Sequence, residues 1–217
     1  MHSADDRGRV TRRVLIDIAR RRQRPGTGSL LTTEGGSLAM SWPDLAGVLK
    51  DLPWAVVGAV AAGRYMPERA TADIDIVVLP SDLEEVRRRF REAGYQELGE
   101  LAIGGFSWRA PEGATVDVIE GHETWWPEAI AEARENVDAR GFPILSLPFL
   151  CLMKLLASRV QDIADVSRML GRASVEDLDR VRSVVRTWAP DLLEDLESLI
   201  SLGRLEMQGG EENPSVP

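Results

Sequence analysis

Thr71-Ala72-Asp73-Ile74-Asp75-Ile76-Val77-Val78-Leu79 decides the reading of this chain. The stretch is rich in β-branched residues, and polar and apolar side chains alternate over its first half, the pattern of a strand with one face in a core. Alternate side chains on a strand share a face, so Thr71, Asp73 and Asp75 project one way and Ala72, Ile74, Ile76 and Val78 the other. Two carboxylates that close on a half-buried strand repel each other and resist loss of water. A divalent cation that prefers oxygen ligands, chiefly Mg²⁺, offsets both costs. The plainer reading of the same pattern is a strand end whose acids face water.

The flanking residues extend the motif. Upstream, Trp54–Gly58 is short and apolar enough for a buried strand, Ala59–Gly63 reads as helical, and Met66–Ala70 forms a loop. Gly58, between strand and helix, lets backbone approach a phosphate closely or simply makes a tight turn. Downstream, Pro80-Ser81 closes the strand and residues 82–93 read as a helix with an arginine-rich outer face. Strands over 101–109 and 114–120, joined by Pro111-Glu112-Gly113, predict a hairpin. Within the second, Asp117 faces away from Val116 and Val118. If that strand lies beside 73–78, three carboxylates converge, a set able to hold two Mg²⁺ roughly 3.5–4 Å apart for phosphoryl or nucleotidyl displacement.

The ordered set Val57-Gly58-Ala59, Arg69-Ala70-Thr71-Ala72-Asp73-Ile74-Asp75 and Asp117 resembles the DNA polymerase β-like nucleotidyltransferase superfamily over about residues 50–120. Further on, Lys154, Arg159, Asp162 and Asp165 are similar to the helical motif of the AbiEii-type branch, which includes the MenT-type toxins. The resemblance implies Mg²⁺-dependent transfer of a nucleotide from an NTP to the 3′ end of tRNA, by a toxin with a cognate antitoxin. It implies Asp73, Asp75 and Asp117 as metal ligands, with Asp117 also helping to deprotonate the acceptor. Gly58, Ala59, Arg69, Thr71 and Lys154 would bind the nucleotide, and Asp165 would orient Lys154 or touch the nucleotide, with Asp162 a second candidate. Thr71 takes the position at which control by phosphorylation acts in MenT-type relatives. Two departures stand out. Ala59 replaces the second glycine or serine of the turn, leaving only backbone N–H groups there, and the interval from Lys154 to Asp165 is short.

Lys154 also draws attention on its own account. Of 26 basic side chains only Lys50 and Lys154 are lysines, and Lys154 lies in the apolar run Leu147–Leu156, where a lone charge is costly to bury. A compact ammonium on a triphosphate explains it, as does a lysine snorkelling from a helix edge. On one continuous helix, Lys154 and Asp165 would lie close in helical angle. His122 has only His2 as a second histidine, which argues against a metal role. Trp125 and Trp126 fit packing better than stacking on a base.

Composition bounds the rest. With 217 residues, 44% apolar and 28% charged, the chain fits a soluble globular protein. No apolar run is long enough to span a bilayer, no signal-like segment follows Met1, and the single Cys151 excludes a disulfide scaffold, so a cytoplasmic location is expected. Residues 1–24 hold eight arginines against Asp5, Asp6 and Asp17, a net of about +5 that leaves about −14 for the rest of a chain whose total is −9. Such an arm is either the solvated face of an amphipathic helix near residues 8–22, with Val10, Val14, Leu15 and Ile18 inward, or a phosphate contact for tRNA.

The expected fold class is α+β: a small mixed β-sheet nucleotidyltransferase core followed by a C-terminal helical bundle. Expected parts are a basic helix and loop at 1–40, the core at 41–123, helices over 124–207 and a disordered tail at 208–217. A helix at 43–52 would be capped by Ser41, and later helices are expected at 126–139, 147–157, 160–171, 174–188 and 190–206. Beside the tRNA reading stand two others. One is adenylylation of a small hydroxylated molecule such as an antibiotic, favoured by the acidic bulk. The other is a catalytically silent module on the same fold, with Ala59 as its sign of decay.

Overall fold

The computed structural model describes residues 12–19, 42–67, 71 and 73–207. Arg69, Ser41, Arg20–Arg22 and the expected tail lie outside them. The described residues form two compact units, one of residues 42–64, 71 and 73–146, the other of residues 12–19, 65–67 and 147–207.

The first unit is built on a five-stranded mixed sheet. In chain order it contains helix α2 (Leu45–Val48), β1 (Trp54–Val56), α3 (Gly58–Ala62), β2 (Asp73–Val78), α4 (Leu83–Glu92), β3 (Gln96–Glu100), β4 (Gly105–Arg109), β5 (Thr115–Glu120) and α5 (Trp126–Ala133). Strand order is β1-β2-β5-β4-β3. Only β2 and β5 run parallel; β1–β2, β5–β4 and β4–β3 are antiparallel. The expected hairpin is β4–β5.

One face of this sheet is apolar: Ile74, Ile76 and Val78 of β2, Val116 and Val118 of β5 and Trp108 of β4 are buried. Helix α4 supplies Val86 and Phe90 to this core, and the Phe90 ring meets Trp108 edge-on at 5.4 Å. Its arginines are not free. Arg87 pairs with Glu97 at 2.6 Å, Arg88 with Glu85 and Glu92, and Arg89 with Glu85, so the outer face is an ion-pair lattice.

Three expectations change here. The helix at 43–52 is a single turn whose N-cap is Asp44, which accepts from the Gly47 amide at 2.9 Å. Residues 101–104 are a turn rather than strand, closed by Gly104 N–H to Leu101 O at 3.0 Å, while the strand before it, β3, was not foreseen. β3 is a largely exposed edge strand of sequence Gln-Glu-Leu-Gly-Glu, so pairing with β4 rather than an apolar face makes it a strand. Strand pairing also continues past residue 124. Val56 N–H donates to Pro143 O at 2.7 Å and Leu145 N–H to Val56 O at 3.0 Å, which ties residues 126–146 to the sheet unit instead of to the helical part.

The second unit is helical: α1 (residues 12–19), α6 (Leu147–Ala157), α7 (Val160–Arg172), α8 (Val175–Trp188) and α9 (Leu193–Met207). α6 is buried almost all round. α7 buries Ile163, Val166, Met169 and Leu170, while α9 buries Leu196, Leu199, Ile200 and Leu202. α1 reverses the expected amphipathic sense: Arg12 and Ile16 are buried, whereas Val14 and Ile18 are exposed. A buried ion pair, Arg12 Nε to Asp195 Oδ2 at 2.5 Å, holds Arg12 inward, while Arg13 stays exposed.

α7 and α9 approach backbone to backbone. A methyl group on Gly203 would lie 2.0 Å from Ser167 O and 2.8 Å from Gly171 N. Neither partner is a flexible side-chain tip, so the helices themselves would have to separate. Gly203→Ala is therefore expected to destabilise the chain by about 1–3 kcal/mol, read as a lowered thermal midpoint, and an unchanged midpoint would contradict the close approach.

Candidate active site

The acidic side chains sit on the sheet face opposite the apolar one. The parallel β2–β5 register pairs Asp73 with Thr115 and Asp75 with Asp117, and antiparallel β4 pairs Ser107 with Asp117. Paired residues on adjacent strands point to the same face, about 4.8 Å apart in backbone spacing. Asp75 and Asp117 are therefore side by side, Asp73 is one pleat along, and Ser107 flanks Asp117 from the far side. Asp73, Asp75 and Asp117 are half-buried, between fully buried Ile74, Ile76, Val116 and Val118.

The hydrogen bonding of the three acids differs. Asp73 Oδ1 accepts from the Thr71 hydroxyl at 2.6 Å, so Thr71 lies against the acidic strand as expected, bonded to a carboxylate. Asp117 Oδ1 is buried with no hydrogen-bond partner. A buried, orphaned carboxylate oxygen beside a second carboxylate is unfavourable, since each buried acceptor normally finds a donor. A hard cation beside it would satisfy that oxygen. Asp75 and Asp117 thus fit a hard divalent ion as its first two ligands. Among the described residues, however, no three His, Cys, Asp or Glu side chains are gathered closely enough to hold a metal as they stand. The Thr71 bond engages only Oδ1 of the Asp73 carboxylate.

Gly58 is required here for a reason the sequence did not reveal. It begins α3 with φ +65°, and a Cβ built on it would fall 1.9 Å from Asp75 Oδ2. Its missing side chain is the space the Asp75 carboxylate occupies. The preceding Val57 N–H donates to Asp75 O at 2.9 Å, which fixes the turn against β2. Ala59 follows within α3 and is half-exposed.

Lys154 and Asp165 belong to the helical unit and do meet, by another route than the one expected. α6 ends at Ala157 and α7 starts at Val160, with Ser158 between them in the left-handed region at φ +55°. The hairpin folds the Lys154 ammonium onto Asp165 Oδ2 at 2.8 Å and Asp162 Oδ1 at 3.1 Å. Lys154, Asp162 and Asp165 are buried, and Gln161 and Arg159 bond the two carboxylates from outside. Lys154 does not snorkel to solvent: two acids neutralise it in place. One turn before it, burial pushes the Cys151 thiol up to about 12, against the opposing pull of the Lys154 charge.

The remaining candidates are peripheral. His122 is exposed, with Nε2 3.3 Å from Glu120. Trp125 and Trp126 are buried and pack with ring centres 3.9 Å apart, and the Trp126 indole donates to Glu123 at 2.6 Å, so these rings pack within the sheet unit. Ser107 went unnoticed in the sequence. Its signal was the hairpin register: the turn centred on Glu112 places Ser107 and Asp117 five residues to either side.

No protein-family model matches the chain, and no curated protein matches it in sequence. Among solved structures it is similar to the solution structure of the antibiotic-resistance factor ANT(2'')-Ia, with TM-score 0.44 and 18% identity, covering 74% of this chain and 88% of that one. It is also similar to the crystal structure of ANT(2'')-Ia in complex with adenylyl-2''-tobramycin, at TM-score 0.40 and 20% identity, covering 70% and 87% of the two chains. Terminal uridylyl transferase 4 from Trypanosoma brucei with bound GTP gives TM-score 0.31 and 12% identity, covering 91% and 70%.

The Gly58–Asp75 contact makes its own prediction. Gly58→Ala combines a strained φ with a clash at the carboxylate, at a cost of about 1–3 kcal/mol. Both the thermal midpoint and Mg²⁺ affinity by calorimetry are expected to fall; loss of neither would mean that Asp75 has room elsewhere.

Proposed function

We propose that the chain is a divalent-metal-dependent nucleotidyltransferase. The observation that carries this reading is the Asp75–Asp117 pair on adjacent parallel strands, with a buried and unpartnered Asp117 oxygen. Asp75 and Asp117 would hold the cation and Asp73 would complete its ligands. When bound, a divalent ion polarises the phosphate and screens the charge that develops on it. The chain's own residues do the rest. Asp117 accepts the proton of the acceptor hydroxyl, whose oxygen bonds to the α-phosphorus of an NTP while the bond to pyrophosphate breaks. Gly58 keeps the turn beside Asp75 free of side chain, Ala59 adds a backbone N–H, Thr71 lies beside Asp73, and Arg69 is kept as a nucleotide-binding residue on its sequence motif alone. Lys154 would be a phosphate ligand; two of the three N–H donors of its ammonium are engaged by Asp162 and Asp165.

The acceptor reading these observations favour is a small, cationic, hydroxylated molecule. The chain is strongly acidic beyond its first 24 residues. Two arginines of the basic arm are already engaged, Arg12 with Asp195 and Arg13 with Glu194. The second reading is the 3′ end of tRNA, with an antitoxin as protein partner; the net charge of about +5 over residues 1–24 favours it. Among the described residues no helix is long and apolar enough to cross a membrane.

Transfer from NTPs labelled at the α-phosphate, offered total tRNA in one arm and aminoglycosides in the other, tests the reaction and separates the acceptors. Label is expected to require Mg²⁺ and to vanish with a chelator. Asp117→Asn and Asp75→Asn are each expected to lower kcat/KM by on the order of a hundredfold or more. Full activity in Asp117→Asn, with the fold intact by circular dichroism, would refute the site.

A further inference from the structure

We infer that Arg12 is a positioning residue for Lys154, acting as a latch that holds the α6–α7 hairpin closed over it. The inference rests on the proposed role of Lys154 only for its catalytic consequence; the latch itself stands on contacts within the helical unit. Arg12 is 4% exposed and bridges two elements. Its Nε meets Asp195 Oδ2 on α9 at 2.5 Å, while its Nη1 donates to Ser158 Oγ at 2.7 Å. Asp195 is itself 4% exposed, so the pair is desolvated and its geometry strict.

Ser158 is the residue on which the hairpin turns. Its φ of +55° is one that side-chain-bearing residues rarely adopt, and surrounding contacts must hold it there. Its N–H donates to Lys154 O at 3.0 Å, and its hydroxyl donates to Leu155 O at 2.5 Å while accepting from Arg12. The carbonyls at the end of α6 lack helical partners, and a guanidinium beside them is favourable. The bend at Ser158 is also what brings Asp162 and Asp165, eight and eleven residues on, to Lys154. Arg12, 142 residues away in sequence, thus sets the turn that buries the ammonium. This accounts for α1 turning Arg12 inward while Val14 and Ile18 stay exposed.

The two lysines of the chain allow a direct test on the full-length protein. Acetylation by an amine-reactive reagent, followed peptide by peptide by mass spectrometry, gives the labelling of Lys154 relative to exposed Lys50, and alkylation of buried Cys151 on the same helix reports whether α6 itself has unfolded. In the native chain Lys154 is expected to be protected. Arg12→Ala is expected to raise its relative labelling at least tenfold with Cys151 still protected, and Arg12→Lys to restore part of the protection.

Ser158→Gly is the second variant: glycine adopts the positive φ without strain, so the backbone is favoured while the acceptor hydroxyl is lost. Lys154 labelling is expected to rise there too. Unchanged Lys154 labelling in all three variants overturns the latch. So does a parallel rise of Lys154 and Cys151 in all three, which would make Arg12 a general support of the fold. If the native chain transfers nucleotide, Arg12→Ala should raise KM for the NTP more than it lowers kcat. If it does not, the proposed function fails while the labelling still decides the latch.

Discussion

The candidate chemistry depends on one pairing, the parallel alignment of β2 with β5 that puts Asp75 opposite Asp117. Two ionised carboxylates about 5 Å apart repel by about 3 kcal/mol at an effective dielectric constant of about 20. A one-residue slip would send Asp117 to the apolar face and Val116 to the acidic one. The buried Ile74, Ile76, Val116 and Val118 prevent that slip, so burial on one face of the sheet enforces an unfavourable charge arrangement on the other. That cost is left unrelieved at Asp117 Oδ1, which is buried without a hydrogen-bond partner, and the proposed cation site rests on it.

Gly58 belongs to the same constraint. Its absent side chain accommodates the Asp75 carboxylate at the head of α3, so one residue serves both the turn and the acid. The helical unit handles charge differently. There Lys154 is neutralised between Asp162 and Asp165, and Arg12 is neutralised by Asp195, each buried cation carrying its own counter-ion. One unit holds an excess of negative charge and the other balances its charges internally.

Much of the sheet was legible in residue order. Alternation marked β2, the turn at Pro111–Gly113 marked the β4–β5 hairpin, and the apolar run at 147–157 marked α6, because each pattern reflects burial by a large partner surface. β3 escaped because an exposed edge strand needs no apolar alternation, and the bridge from Val56 to Ile144 escaped because Pro143 and a single paired residue leave no periodic trace. The inverted α1 escaped for a related reason: periodicity assumes that apolar residues face inward, and a desolvated Arg12–Asp195 pair overrides it.

Residue order alone thus settles which side chains share a strand face, since that follows from a backbone repeat of two, and it singles out Asp73, Asp75, Asp117 and Lys154 as charges out of keeping with their surroundings. Tertiary structure alone decides which of them meet. The neighbour of Asp75 depends on a crossover that brings β5 beside β2 across some forty residues, and the neighbours of Lys154 depend on a left-handed turn at Ser158 held by an arginine near the start of the chain. Contacts between residues distant in sequence are set by packing energies summed over the whole unit, and no local pattern encodes such a sum.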